Sequence, residues 1–153
     1  MTRTSRLLSS AAALAAFFAL STVSGLAQIR HPGYLHALSD LRVARAHLER
    51  PNHGELKQQE RDAIHEIDEA IGEIKRASID DGRDLSDHPP VEVRLDWSGR
   101  LHRALELLDR AHHDVAQEED NRFAQGLQQR ALEHIDRAHH HAEEALRIVE
   151  YRR

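Results

Sequence analysis

Apolar residues recur every three or four positions in four stretches of this chain. The clearest stretch begins near Leu56 and carries apolar residues at Ala63, Ile64, Ile67, Ala70, Ile71, Ile74 and Ala77. Spacing of this kind places one apolar stripe along an α-helix. Because a helix can bury such a stripe only against another element, the pattern predicts an all-α fold of packed helices.

Turn-forming residues separate the four stretches. The first helix starts near Tyr34 and ends at Pro51-Asn52-His53-Gly54, and the second stops near Asp80-Asp81-Gly82. The third is expected over 97–117 and the fourth over 123–151. The chain is therefore expected to contain two αα-hairpins, 33–80 and 96–151, joined by an acidic, proline-containing crossover over 81–95.

The two hairpins share a sequence pattern. Their second helices align as Ala63-Ile64-x-x-Ile67-Asp68-x-Ala70 and Ala131-Leu132-x-x-Ile135-Asp136-x-Ala138. We interpret this match as a duplication. It predicts an antiparallel four-helix bundle over 28–153, built from two duplicated αα-hairpins.

The first 27 residues have the pattern of a secretory signal peptide. A basic start precedes an apolar run over 7–20, and small residues occupy Gly25 and Ala27, just before the expected cleavage point. The run is short for a membrane span and no second one follows, so we expect no span in the mature chain. This pattern predicts a bacterial protein that is periplasmic or secreted.

The charge and the cysteine count limit the partners of the mature chain. Residues 28–153 hold 19 Lys and Arg against 26 Asp and Glu, a formal charge of −7 with histidine neutral. This acidic balance argues against nucleic acid as a partner and favours cations. The chain has no Cys, so it has neither a disulfide nor a thiolate site.

All 13 histidines lie in the mature part, and they are densest in the fourth helix. Asp136, His140 and Glu144 follow one another four residues apart, and so do His139 and Glu143. Imidazoles and carboxylates therefore meet on neighbouring turns of the helix. Neutral imidazole and carboxylate are ligands for borderline divalent metals. The candidate ligands of this helix are His134, Asp136, His139, His140, His141, Glu143 and Glu144. The same residues are also compatible with a solvated helix face.

The third helix adds the candidate ligands His102, Glu106, His112 and His113. If the third and fourth helices fold back about Asp120, His102 becomes level with His139. An inter-helix site of His102, Glu106, His139 and either Glu143 or Asp136 is then expected. His112 falls on the apolar stripe, so it is either a half-buried core histidine or a ligand.

The segment 133–146 contains His-Ile-Asp-x-Ala-His-His-His-Ala-Glu-Glu-Ala-Leu. It resembles the His-x-Ala-Glu-Glu-Ala runs of the periplasmic small metal-binding protein family. The resemblance implies an exported, Cys-free, His-rich four-helix bundle that binds divalent copper, nickel or zinc.

Sequence motifs of common hydrolytic and phosphate-binding sites are absent. The chain has no glycine-rich phosphate loop and no His-Glu-x-x-His motif. The acids Glu66, Glu69 and Glu73 are expected to point mostly outward, which disfavours a carboxylate-bridged di-iron centre. The sequence therefore predicts a protein that is not an enzyme.

We expect the protein to bind divalent transition metal, copper first and then nickel or zinc, for buffering, storage or transfer. One alternative is a helical interaction module of the cell envelope, which docks a protein partner or forms a homodimer without a metal role. The other is a pH-responsive protein, because protonating all 13 histidines would change the mature charge from −7 to +6.

Overall fold

Four α-helices make up the computed structural model, which describes residues 32–50, 57–78, 94–118 and 122–152. The helices are α1 (Pro32–Leu48), α2 (Gln58–Ala77), α3 (Trp97–Gln117) and α4 (Arg122–Tyr151). No strand occurs among these residues. The predicted all-α class and four-helix bundle are therefore confirmed.

Local hydrogen bonds explain where the helices begin. Asp96 precedes α3, and its carboxylate accepts a hydrogen bond from the Gly99 N–H at 2.7 Å. The Glu60 carboxylate accepts from the Lys57 N–H at 2.8 Å at the start of α2. Such contacts satisfy N–H groups that have no partner within the helix.

The helices contact one another in a ring, α1–α2–α4–α3, which closes back onto α1. Neighbouring helices are antiparallel, because residue numbers rise along one helix as they fall along its neighbour. The contacts that show this are Gly33–Glu118 with Asp40–Arg110, Glu66–Arg137 with Glu73–Arg130, and His102–Glu150 with His112–Asp136. The diagonal helices α2 and α3 consequently run in the same direction. The end of α2 and the start of α3 therefore lie at opposite ends of the bundle.

Two of the sequence predictions fall largely or wholly beyond this description. The expected signal peptide, 1–27, lies outside the described residues, as does nearly all of the expected crossover, 81–95. Among the helices that are described, none is long and apolar enough to cross a membrane.

The apolar stripes of all four helices meet in one core. Alanine is common in it, so neighbouring backbones pack closely, and leucine and isoleucine fill the remaining space. The largest apolar side chains that are almost fully buried are Tyr34, Leu38, Leu41, Leu48, Ile67, Ile74, Leu101, Leu107, Leu108 and Ile135.

Glu73 corrects one expectation, because it is 5% exposed rather than directed outward. Arg76 Nη2 donates to its carboxylate at 2.5 Å and Arg130 Nη2 at 3.1 Å. Burial raises the pKa of Glu73, but the two arginine hydrogen bonds outweigh burial, so the pKa is lowered overall. The carboxylate is buried because arginines from α2 and α4 supply its partners.

Gly33 packs tightly against the end of α3. Its N–H donates to Glu118 Oε1 at 2.5 Å, and an added Cβ would lie 2.6 Å from the Asp114 carbonyl oxygen. Gly33→Ala is expected to push the helices apart and to lower the free energy of unfolding by about 1–3 kcal/mol. Gly126→Ala is the matched control, because among the described residues its Cβ would meet only the Arg130 guanidinium, at 3.5 Å.

The control should raise the free energy of unfolding by about 0.5–1 kcal/mol, since alanine is the better helix former. Urea denaturation of both variants measures the two shifts. A gain in stability at Gly33 as well would contradict the close contact of α1 with α3.

Candidate functional site

A groove between α3 and α4 contains the main concentration of metal-ligand side chains. It encloses a cleft of about 200 Å³ lined by Leu108, Asp109, His112, Ile135, Asp136 and His139. Leu108 and Ile135 are buried and form its apolar floor. The polar residues therefore stand on two rigid helices around a cleft that is open to solvent.

Two histidine–aspartate pairs cross this groove in opposite directions. His112 Nε2 lies 3.3 Å from Asp136 Oδ1, and His139 Nε2 lies 3.2 Å from Asp109 Oδ1. Each helix thus supplies one histidine and one aspartate, three residues apart, so that both side chains face the same way. The aspartate side chains are 73% and 69% exposed at Asp109 and Asp136, whereas His139 is 29% exposed.

A five-residue motif positions both pairs. Asp-Arg-Ala-His-His occurs at 109–113 on α3 and again at 136–140 on α4. Its alanines, Ala111 and Ala138, are fully buried, which lets α3 and α4 pack closely. The first histidine and the aspartate of each copy then face the other helix across the groove.

The arginine of each motif pairs with a carboxylate on the other neighbouring helix, α1 for α3 and α2 for α4. Arg110 donates to both carboxylate oxygens of Asp40 on α1, at 2.9 and 3.0 Å. Arg137 Nε donates to Glu66 on α2 at 2.9 Å. Because equivalent positions have equivalent surroundings, an approximate two-fold axis passes through the groove and relates α3 to α4.

Two glutamates of α4 lie beside the three consecutive histidines 139–141. His139 Nδ1 is 3.8 Å from Glu143 Oε1. Glu144 lies between two rings, with its oxygens 3.6 Å from His140 Nε2 and 3.7 Å from His141 Nδ1. The predicted acidic neighbours four residues on, Glu143 for His139 and Glu144 for His140, are therefore in place on this helix.

His134 belongs to a different side of α4. Its Nδ1 lies 2.7 Å from Glu66 Oε2 on α2, and Arg137 Nη2 approaches the same nitrogen at 2.7 Å. Burial raises the pKa of Glu66, but the hydrogen bonds from His134 and Arg137 outweigh burial, so the pKa is lowered overall. His134 thus contributes to the α2–α4 contact and not to the groove.

The predicted inter-helix site of His102 with His139 is wrong. His102 Nε2 instead lies 3.7 Å from Glu150 Oε1, near the end of α4. Glu106 accepts a hydrogen bond from Arg103 Nη1 at 2.7 Å. His113 Nε2 is 2.5 Å from the Gln117 side-chain amide nitrogen.

The reason for this error is the axial offset of the two helices. Gln128 Nε2 donates to the Val115 carbonyl at 2.8 Å and also to the Glu118 carbonyl. The first turns of α4 therefore extend beyond the end of α3, and the two helices lie side by side only after those turns. Compared with a hairpin folded about Asp120, the position on α3 that faces His139 is shifted by about two helical turns. His139 therefore faces Asp109.

His112 lies between the core and the surface of α3, and Asp109 is its partner residue on the same helix face. The stripe of α3 is centred on Ala104, Leu108 and Ala111, so His112 lies at its edge and is 41% exposed. Asp109 was missing from the predicted ligands, although the repeated Asp-Arg-Ala-His-His motif would have indicated it.

The groove is not a preformed metal centre. Within 32–50, 57–78, 94–118 and 122–152, no three histidine or acidic side chains converge closely enough to hold a metal ion. The two pairs instead offer two ligands each, on exposed and rotatable side chains.

Comparison with known proteins gives no match: no family model, no curated protein and no solved structure resembles this chain significantly.

Proposed function

We propose that this protein binds divalent transition metal through imidazole and carboxylate side chains of α3 and α4, and that it is not an enzyme. The observation that supports this function is the pairing of histidine with acid. Six histidines of these helices have a ring nitrogen within 3.8 Å of a carboxylate oxygen: His102, His112, His134, His139, His140 and His141.

The ligand types limit the metals. Neutral imidazole nitrogen and carboxylate oxygen suit copper(II), nickel(II) and zinc(II). Copper(I) prefers sulfur ligands, but the chain has no Cys and its one Met is Met1. At a shared site of this chemistry, copper(II) is expected to bind more tightly than nickel(II) or zinc(II).

We propose that the protein acts outside the cytoplasm. With residues 1–27 as an export signal, the acidic bundle would buffer, store or transfer metal outside the cytoplasm. Its core is made of apolar side chains that take no part in metal binding. The protein is therefore expected to stay folded without metal and to gain stability from metal only by mass action.

Calorimetric titration of the purified protein with copper(II), nickel(II) and zinc(II) at pH 7.5 tests this function. We expect saturable binding with a dissociation constant well below 0.1 mM, about the level for scattered surface histidines. Free metal at 100 times the dissociation constant should stabilise the fold by about 2.7 kcal/mol.

A triple variant and a matched control identify the helix responsible. His139→Gln, His140→Gln and His141→Gln together should remove the tightest binding while the helical content persists. His36→Gln with His65→Gln, two exposed histidines on α1 and α2, should leave it unchanged. Binding weaker than 0.1 mM in the parent would reject the metal function and favour the interaction module.

A further inference from the structure

We infer that the tightest metal site is the groove between α3 and α4, where one ion binds near the approximate two-fold axis. Its ligands are Asp109 and His112 from α3 and Asp136 and His139 from α4. This inference rests on the proposed function and names the site at which that function is performed. It places the principal ion in the groove rather than at His140 and His141 on the outer face of α4.

The spacing of the donor atoms fits one coordination shell. Two ligands of a tetrahedral zinc, each at 2.0–2.1 Å from the metal, are roughly 3.3 Å apart. The histidine nitrogen and the aspartate oxygen of the two pairs are 3.3 and 3.2 Å apart. Each pair can therefore occupy one edge of a tetrahedron with little change.

Bringing the two pairs onto one ion requires mainly side-chain rotation. All four residues line the same cleft of about 200 Å³, which has room for an ion and several water molecules. Asp109 and Asp136 are mostly exposed, so few packing contacts oppose their rotation. The negative charge of the two aspartates would attract a divalent cation.

His139 is already oriented as a metal ligand. Histidines that bind metal usually donate their other ring N–H to a carboxylate or carbonyl, which fixes the ring and its tautomer. Glu143 Oε1 lies 3.8 Å from His139 Nδ1, while Nε2 faces the groove. This distance is too long for a hydrogen bond, so Glu143 would position the ring only after a change of its rotamer.

The scaffold also favours the groove over the outer face of α4. Four ligands come from two helices that are held to their outer neighbours by Arg110 and Arg137. The rival set of His140, His141 and Glu144 comes from one helix and offers three ligands.

Two double variants and one control test this site in the purified protein. Asp109→Asn with Asp136→Asn keeps the shape of both side chains, and His112→Gln with His139→Gln keeps helix propensity. Each pair of changes should weaken the tightest binding of zinc(II) and copper(II) about 100-fold or more. The control, His36→Gln with His65→Gln on α1 and α2, should change it less than about threefold. A third double variant, His140→Gln with His141→Gln, tests the rival site on the outer face of α4.

A second measurement uses cobalt(II) as the probe. Tetrahedral cobalt(II) absorbs visible light far more strongly than the hydrated ion, so the parent and the control should give an intense spectrum and the groove variants a weak one. Circular dichroism and the melting temperature without metal confirm that each variant is folded.

The two proposals fail in different ways. If the parent binds no metal, the proposed function itself is wrong. If the parent binds metal and the groove variants bind as tightly as the control, the function stands and the groove assignment is overturned. A tight site lost only in the His140 and His141 variant would place the ion on the outer face of α4.

Discussion

Replacing Ile135 by alanine is expected to lower the free energy of unfolding by about 2–4 kcal/mol. Ile135 is 1% exposed and is the large side chain among the buried alanines Ala131, Ala138 and Ala142 of α4. The small neighbours leave few atoms that can move into the space, so the truncation creates a cavity below the groove. Urea denaturation monitored by circular dichroism measures the change.

Leu132→Ala is the matched control for this experiment. Leu132 lies on the same helix but is only partly buried against the core. Its truncation should therefore cost clearly less than that of Ile135, because water already reaches part of the side chain. A loss below about 0.5 kcal/mol at Ile135 would mean that α4 does not present this face to the core.

The second large effect is expected at Glu60, a carboxylate that is only 1% exposed. It accepts a hydrogen bond from Trp97 Nε1 at 2.7 Å and another from the Lys57 N–H at 2.8 Å. Arg100 is 7% exposed; burial lowers its pKa, and the nearby Glu60 charge partly offsets that effect. Glu60→Ala should cost about 2–4 kcal/mol, because the half-buried Trp97 indole N–H loses its acceptor and the buried Arg100 loses a nearby negative charge.

Three further variants separate charge from hydrogen bonding at this end of the bundle. Glu60→Gln keeps an acceptor for Trp97 but removes the negative charge, so its loss should be intermediate. Combining Glu60→Ala with Arg100→Met removes both charges, and the double loss should be smaller than the sum of the single losses. Exposed Glu69→Ala on the same helix should cost little. Additive losses at Glu60 and Arg100 would contradict their coupling.

The sequence was sufficient to predict the four helices and their burial pattern. The bounds 97–117 agree with α3, and the isoleucines Ile67 and Ile74 are fully buried in α2. The spacing of apolar residues determines which side of each helix is buried, and turn-forming residues determine where each helix ends. Both signals are local in the sequence, because each helix has one apolar side and ends where proline, glycine or acidic residues interrupt it. Much of the candidate site was also named in advance, including His112, Asp136 and His139.

Only the tertiary structure decided which of these residues meet. Periodicity determines which side of a helix faces the core, but it does not determine how far one helix slides along its neighbour. Stripes rich in alanine, such as those around Ala111 and Ala138, are similar from turn to turn, so they constrain this offset weakly.

Contacts between distant residues determine the offset instead. The hydrogen bonds from Gln128 to the carbonyls of Val115 and Glu118 hold α4 against the end of α3 in the observed register. That register places His139 beside Asp109 and His102 beside Glu150. The burial of Glu73 likewise depends on Arg130 of another helix, because a buried carboxylate is stable only where its charge has a partner.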